Sequence, residues 1–342
     1  MQSSAKYAAI SAKIRVMYGR RITNAQYNDM LNKSTVSEIT AFLKETLKYR
    51  PQLSGINEKL IHRGQLEDII RRGQLEEYLK LYSFATGGDK KILDVIFKTN
   101  EIYEVINFLR FFKSGRSEEY PYAFSEFINR FSKLDFSVFH LARTVDEMVS
   151  LFAGSDYYDI ILQCRQTNDI DIVKIENKIY TQYYFSLYKS MSQTKNSRAE
   201  LKKFVSAQID VLNIIKILRL KKYYNVSSVM GIEHLIHKGG AVPDYIISEM
   251  LNAESYAQAE DVIKKTIYNK LFFNNSYPYL EEYYYQMLHD FNKKIMTSGQ
   301  SSILVVIAYL FMCEVQTKNL ITIIEGKRYN TDKEKIKDHL VL

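Results

Sequence analysis

Apolar residues recur at helical spacing along most of the chain. Tyr7, Ile10, Ile14 and Met17 share one helix face beside polar Arg15, Arg20 and Arg21, so an amphipathic helix opens the sequence. The same polar and apolar mixture continues from Ile22 to Asn32. A start signal follows at Ser34-Thr35, with Glu38 close to capping-box spacing ahead of Ile39, Phe42 and Leu43, and Pro51 ends that segment. Periodicity predicts further helices over Leu60 to Phe84, Lys90 to Phe112, Ile172 to Ser192, Arg198 to Tyr224, Val242 to Leu251, Glu260 to Phe273, Leu280 to Met296 and Ser302 to Gly326. Breaks fall at Gly87-Gly88, Lys113 to Pro121, Gly239-Gly240 and Asn274 to Pro278. With only 4 Pro and 13 Gly in 342 residues, the pattern predicts an all-α protein.

Internal repetition organises these helices. The segments Tyr103 to Lys113, Ile209 to Arg219 and Val315 to Lys327 resemble one another, and anchoring them on Asn107, Asn213 and Asn319 gives equal spacings, 213 − 107 = 106 and 319 − 213 = 106. Each Asn interrupts an apolar stripe, with Glu104, Asp210 or Gln316 one turn earlier on the same face. A half-buried Asn carries donors and an acceptor that need fixed partners, so it can pin a helix in one register. Asn107, Asn213 and Asn319 are expected to occupy equivalent places, each tying its closing helix to its own domain. Arg110, Arg219 and Lys327, near the ends of these helices, are candidate partner contacts.

A second pattern precedes each closing helix. Thr35 to Tyr49 and Thr144 to Tyr158 both start Thr-Val-x-Glu, continue with an apolar pair, and reach a hydroxyl residue with Tyr three positions on. The third copy is looser: Ser255, Glu260, Val262, Ile263, Thr266 and Tyr268. Three related helical units result, at 1–116, 117–226 and 227–342, with terminal helices free to cross between them.

Charge and cysteine content narrow the function. Lys+Arg exceeds Asp+Glu by 47 − 39 = 8, but the signs are mixed along most segments, as on solvated helix faces, rather than gathered in a basic stripe. Cys164 and Cys313 form no CxxC pair and suit a reducing cytoplasm. Met1 to Ala9 lacks the apolar stretch of a secretory signal. The longest apolar run, Ile303 to Cys313, falls short of the ~20 residues that span a bilayer, so it reads as a core helix and any membrane role is at one remove.

No catalytic residue, metal ligand or cofactor site is expected. Gly87-Gly88-Asp89-Lys90 and Gly326-Lys327-Arg328 lack the upstream glycine and hydroxyl of a phosphate loop. His234 and His237 are three apart where HExxH needs four, and His62, His140, His289 and His339 are scattered. The adjacent acids Glu118-Glu119 and Glu281-Glu282 point to different sides of a helix, and no GxSxG elbow occurs. The 27 Tyr include clusters at Tyr120 and Tyr122, Tyr180, Tyr183 and Tyr184, and Tyr283 to Tyr285. Such rings could stack single-stranded bases, but no basic run interleaves them, so they read as helix-face packing with hydroxyls in water.

The order of motifs resembles the C subunit family of V-type (A-type) ATPases and ATP synthases, the counterpart of the eukaryotic V-ATPase d subunit. The resemblance rests on Tyr7 to Arg15, the Thr35 to Tyr49 block, and the closing Glu314 to Lys327 run, which is similar to the family's acidic, Asn-Ile, Arg-Gly-Lys terminus. Glu325 stands where the family commonly has Arg. The resemblance implies a funnel of three similar helical domains in pseudo-threefold arrangement on the cytoplasmic face of a membrane. It further implies a non-catalytic rotor that couples the axle subunits D and F to the membrane ion-carrying rotor ring (c/K). The rival reading is a helical-repeat adaptor that binds RNA or another protein; a metal-dependent hydrolase ranks below both.

Overall fold

The computed structural model describes residues 2–121, 128–129, 132–167, 169–191, 197–224, 231–237, 239–298 and 302–342. Tyr122, Ser192 and the 226/227 repeat boundary lie outside them. Among the described residues the fold is all-α: no strand occurs beyond one isolated bridge, Arg165 with Ile170.

The first part of the chain carries α1 (Gln2–Gly19), α2 (Asn24–Leu31), α3 (Val36–Glu45), α4 (Arg50–Leu53), α5 (Arg63–Tyr82) and α6 (Gly87–Lys113). Two 3-10 turns, Ser117–Glu119 and Phe136–Leu141, lead to α7 (Val145–Ser150), α8 (Tyr158–Gln163), α9 (Ile172–Met191) and α10 (Arg198–Arg219). A π turn at Leu220–Tyr224 precedes α11 (Asp244–Asn252), α12 (Tyr256–Ile263), α13 (Asn269–Phe273), α14 (Glu281–Thr297), α15 (Ile303–Arg328) and α16 (Lys333–Asp338). One order therefore recurs: a capped helix (α3, α7, α12), a short helix (α4, α8, α13), a long helix (α5, α9, α14) and a long closing helix (α6, α10, α15).

Two expected boundaries move. Gly87 adopts a φ of 58°, open to glycine at little cost, so the expected break at Gly87-Gly88 is the turn from which α6 departs. The single helix expected over Glu260 to Phe273 is two, α12 and α13, because the Thr266 hydroxyl bonds back to the Ile263 carbonyl at 2.8 Å and closes the first.

Packing divides the chain into two compact units, 1–86 with 267–342, and 87–266; neither boundary coincides with those of the sequence repeats. In the first unit α15 packs against α14, α5, α1, α3 and α16. A core cluster joins Ile39 and Leu43 of α3, Leu53 of α4 and Leu66 and Ile70 of α5 to Leu320, Ile323 and Ile324 of α15, all buried. By length and composition α15 could cross a bilayer, yet 89% of its apolar stretch is buried inside the protein, as expected of a core helix. In the second unit α9 lies against α6 and α10, and α10 packs on α11 and α12.

Candidate functional site: polar pins on the closing helices

The interrupting asparagines mark backbone docking points. On α10 the Asn213 amide donates to the Ile236 carbonyl at 3.1 Å and accepts the Ile236 N–H at 2.8 Å. On α15 Asn319 makes the same pair with Val341, donating to its carbonyl at 2.6 Å and accepting its N–H at 3.1 Å. The offsets nearly match, 236 − 213 = 23 and 341 − 319 = 22. A side-chain amide offers one donor and one acceptor side by side, so it satisfies an isolated backbone residue as a neighbouring strand would. Asn107 on α6 is half-buried, and the position that an offset of 23 would reach, 107 + 23 = 130, lies outside the described residues.

The residue one turn before each Asn also reaches across. Gln316 accepts the Ile22 N–H at 2.9 Å and donates to the Tyr49 hydroxyl at 2.9 Å. The Asp210 carboxylate accepts the N–H groups of Ala241 and Val242, at 2.9 Å and 3.2 Å. Glu104 accepts from the Tyr120 hydroxyl at 2.6 Å. Ile22 and Val242 are equivalent: each precedes the N-cap of a small helix, Thr23 before α2 and Pro243 before α11. Gly240 makes the Asp210 contact possible, since a Cβ there would fall 2.3 Å from Oδ1.

Asn319 bonds within its own repeat, to Val341, whereas the other partners lie across the repeat boundaries, against the expectation for Asn213. Asp210 and Asn213 bond to residues beyond 226, and Gln316 bonds to the first repeat. Tyr120 corrects another: its ring is 2% exposed and its hydroxyl is on Glu104, out of water. Tyr183 and Tyr184 are also buried.

The capped turns repeat atom for atom. The N-cap hydroxyls of Thr35, Thr144 and Ser255 accept the N–H groups of Glu38, Glu147 and Gln258, each at 3.2 Å. In return, those side chains accept the N–H groups of Ser34, Arg143 and Glu254 at 2.9, 2.7 and 2.8 Å. Gln258, rather than Glu260, fills the third copy. At the far end of each helix the hydroxyls of Thr46, Ser155 and Thr266 donate to the carbonyls of Leu43, Phe152 and Ile263. The buried tyrosines that follow are Tyr49, Tyr157 and Tyr268: Tyr268 is two positions on, as the sequence has it, and in the second copy the buried ring is Tyr157, two positions on, rather than Tyr158.

The proposed contact residues differ in availability. Lys327 is committed within the fold, donating to the Leu31 carbonyl at the end of α2 at 2.6 Å. Arg110 is exposed and pairs with Glu176 at 3.2 Å, and Arg219 is exposed. Glu325 lies 3.8 Å from Arg63.

One cluster escaped the sequence reading. Lys48 and Glu77 form a 2.9 Å ion pair with side chains 6% and 14% exposed, and the Cys313 thiol donates to Glu77 at 3.1 Å. Burial pushes the Cys313 thiol well above its ordinary range, so it stays protonated and inert. Nothing in the sequence separates this pair from solvated charges, because its partners are 29 and 236 residues apart. His234 contacts the Asn177 amide at 3.3 Å, and no group of three or more His, Cys, Asp or Glu suited to a metal occurs among the described residues.

Long helices fixed by buried side-chain-to-backbone bonds define an all-α protein with a recurring order of elements. The chain belongs to the ATP synthase (C/AC39) subunit family, whose model matches residues 10–339. It is similar to the C subunit of the A-type ATP synthase of Methanosarcina mazei, 23% identical with 100% of this chain and 94% of that protein covered. The C subunits of the A-type ATP synthases of Archaeoglobus fulgidus (23% identical, 99% and 97% covered) and Methanocaldococcus jannaschii (21%, 98% and 86%) are also similar.

Proposed function

We propose that this protein is a non-catalytic central-stalk rotor subunit of an A-type or V-type ATP synthase or ATPase, seated peripherally on the cytoplasmic face of the membrane. In this reading the three repeats, 1–116, 117–226 and 227–342, form a pseudo-threefold collar. One side holds the axle subunits D and F and the other rests on the membrane ion-carrying ring, so torque passes through the chain while catalysis and ion transfer occur in other subunits.

The observation that carries this reading is the family match over residues 10–339. Mechanics agree with it. A torque coupler must resist shear, and close-packed helices deform little. Sliding α10 past its neighbours would break the bonds at Asp210 and Asn213 together, and sliding α15 those at Gln316 and Asn319; each buried group left unmet costs about 1–3 kcal/mol. The pins are thus proposed to hold register under load, with Glu104 and Asn107 doing the same on α6. Arg110 and Arg219 remain proposed partner contacts.

The test is crosslinking in the assembled complex. Cysteines placed at Arg110 and Arg219 should join the axle and stop ATP-driven ion transport, with transport recovered on reduction. Crosslinks to the stationary head, or unimpeded transport in the fully crosslinked complex, would refute the rotor assignment.

A further inference from the structure

Two repeats bring a histidine, a polar residue of the long helix and a lysine of the closing helix together, but with different charge. In the third repeat the Glu282 carboxylate of α14 lies 2.7 Å from His339 Nδ1 and 3.7 Å from Lys318 Nζ of α15. The middle repeat has Asn177 of α9 in the place of Glu282 and His234 in that of His339, since 282 − 177 = 105 and 339 − 234 = 105. There Lys216 of α10 donates to Asn177 Oδ1 at 2.5 Å, and the amide nitrogen lies 3.3 Å from His234 Nδ1. Each histidine stands two residues before a pinned backbone residue, Val341 on Asn319 or Ile236 on Asn213.

The exchange of Glu for Asn leaves the Lys216 ammonium on a neutral acceptor. The Asn177 amide is 6% exposed and accepts one bond from it without offering a charge. Glu176, the acid beside Asn177 on α9, is paired with Arg110 at 3.2 Å. Lys216 itself is half-buried, and burial pushes its amine down from 10.5 to about 8, against a smaller upward pull from Glu176. Near pH 8 about half of it is then free amine, against under ~1% for a lysine that titrates at its ordinary value. A free amine held in a partly dry cluster is a nucleophile.

We propose that Lys216 is a site of acyl modification, with a small acyl phosphate as donor. A half-buried amine admits a compact donor better than a bulky one. The ammonium first gives a proton to solvent. The free amine then attacks the acyl carbon, the C–N bond forms as the C–O bond to phosphorus's oxygen breaks, and phosphate leaves with a second amine proton. The product is uncharged, keeps one N–H where the ammonium had three, and sets an acyl group against Asn177, so it loosens the contact of α10 with α9 and with residues 231–237. This goes beyond the rotor assignment and is tested on the isolated full chain.

Limiting acetyl phosphate, followed by site-resolved mass spectrometry, reads the rates. At pH 8 Lys216 should be acetylated about tenfold faster than Lys202, an exposed lysine on the same helix, since burial takes back part of the gain in free amine. Its rate should climb with pH to about 8 and level off above. Asn177→Asp keeps the shape and supplies a carboxylate, as Glu282 does for Lys318, so it should slow labelling of Lys216 about tenfold and leave Lys202 unchanged. Circular dichroism checks that this variant is folded. Acetylation of Lys216 no faster than that of Lys202 in the wild-type chain would overturn the proposal without any variant, and so would undiminished labelling in folded Asn177→Asp.

Discussion

Gln316 accepts the backbone N–H of Ile22 at 2.9 Å across 294 residues of sequence, placing the closing helix of the last repeat against the first. Asp210 makes the equivalent contact to Ala241 and Val242 in the middle of the chain. The same device thus serves once between neighbouring repeats and once between the two ends of the sequence, within the compact unit that residues 1–86 and 267–342 form around a shared apolar core.

Replacing Asn213 with Leu keeps the branched shape but leaves both backbone groups of Ile236 unmet in the core. The expected loss is about 2–4 kcal/mol, read by chemical denaturation. Asn319→Leu should cost a similar amount through Val341. Wild-type stability in both variants would show that the pins carry no load.

Gly240→Ala drives a methyl group against the Asp210 carboxylate, 2.3 Å from Oδ1. We expect destabilisation of about 2–3 kcal/mol, because relief requires breaking the bonds to Ala241 and Val242. Gly19→Ala, with nothing within 4 Å of its Cβ, is the control and should leave the melting temperature level or slightly higher.

Gly326 lets α16 lie on α15, since a Cβ would meet Ile336 at 2.5 Å. Gly326→Ala should loosen residues 333–342 while sparing the long helices. Hydrogen exchange is expected to rise in the tail and at Val341, whose N–H bonds to Asn319.

Glu314, half-buried on α15, has its carboxyl pushed up to about 7 from 4.5 by burial. Between those values the folded protein keeps a proton that the unfolded chain has released, so stability falls as pH rises from about 4.5 to about 7. Glu314→Gln should remove this slope. Relative to wild type, it should gain about 1–2 kcal/mol on going from pH 5 to pH 8 in denaturation curves, allowing for partial solvent screening.

The sequence by itself determined the helical class, the places of the long helices, and the threefold recurrence of its motifs, because each is written in local spacing, whereas the short helices between them were not separated. Periodicity places α5, α9, α14 and their closing helices, and the 106-residue interval singles out Asn107, Asn213 and Asn319 before any partner is visible. It also flagged Gly239-Gly240 and Asp210 as separate features. Only the tertiary structure joined them, and only it showed that Gln316 serves the first repeat, that the Tyr120 hydroxyl is buried on Glu104, and that Lys48, Glu77 and Cys313 meet inside the core. Helix periodicity records which face a residue occupies, whereas a hydrogen bond across 294 residues depends on which faces meet, and that is decided by packing of the whole chain.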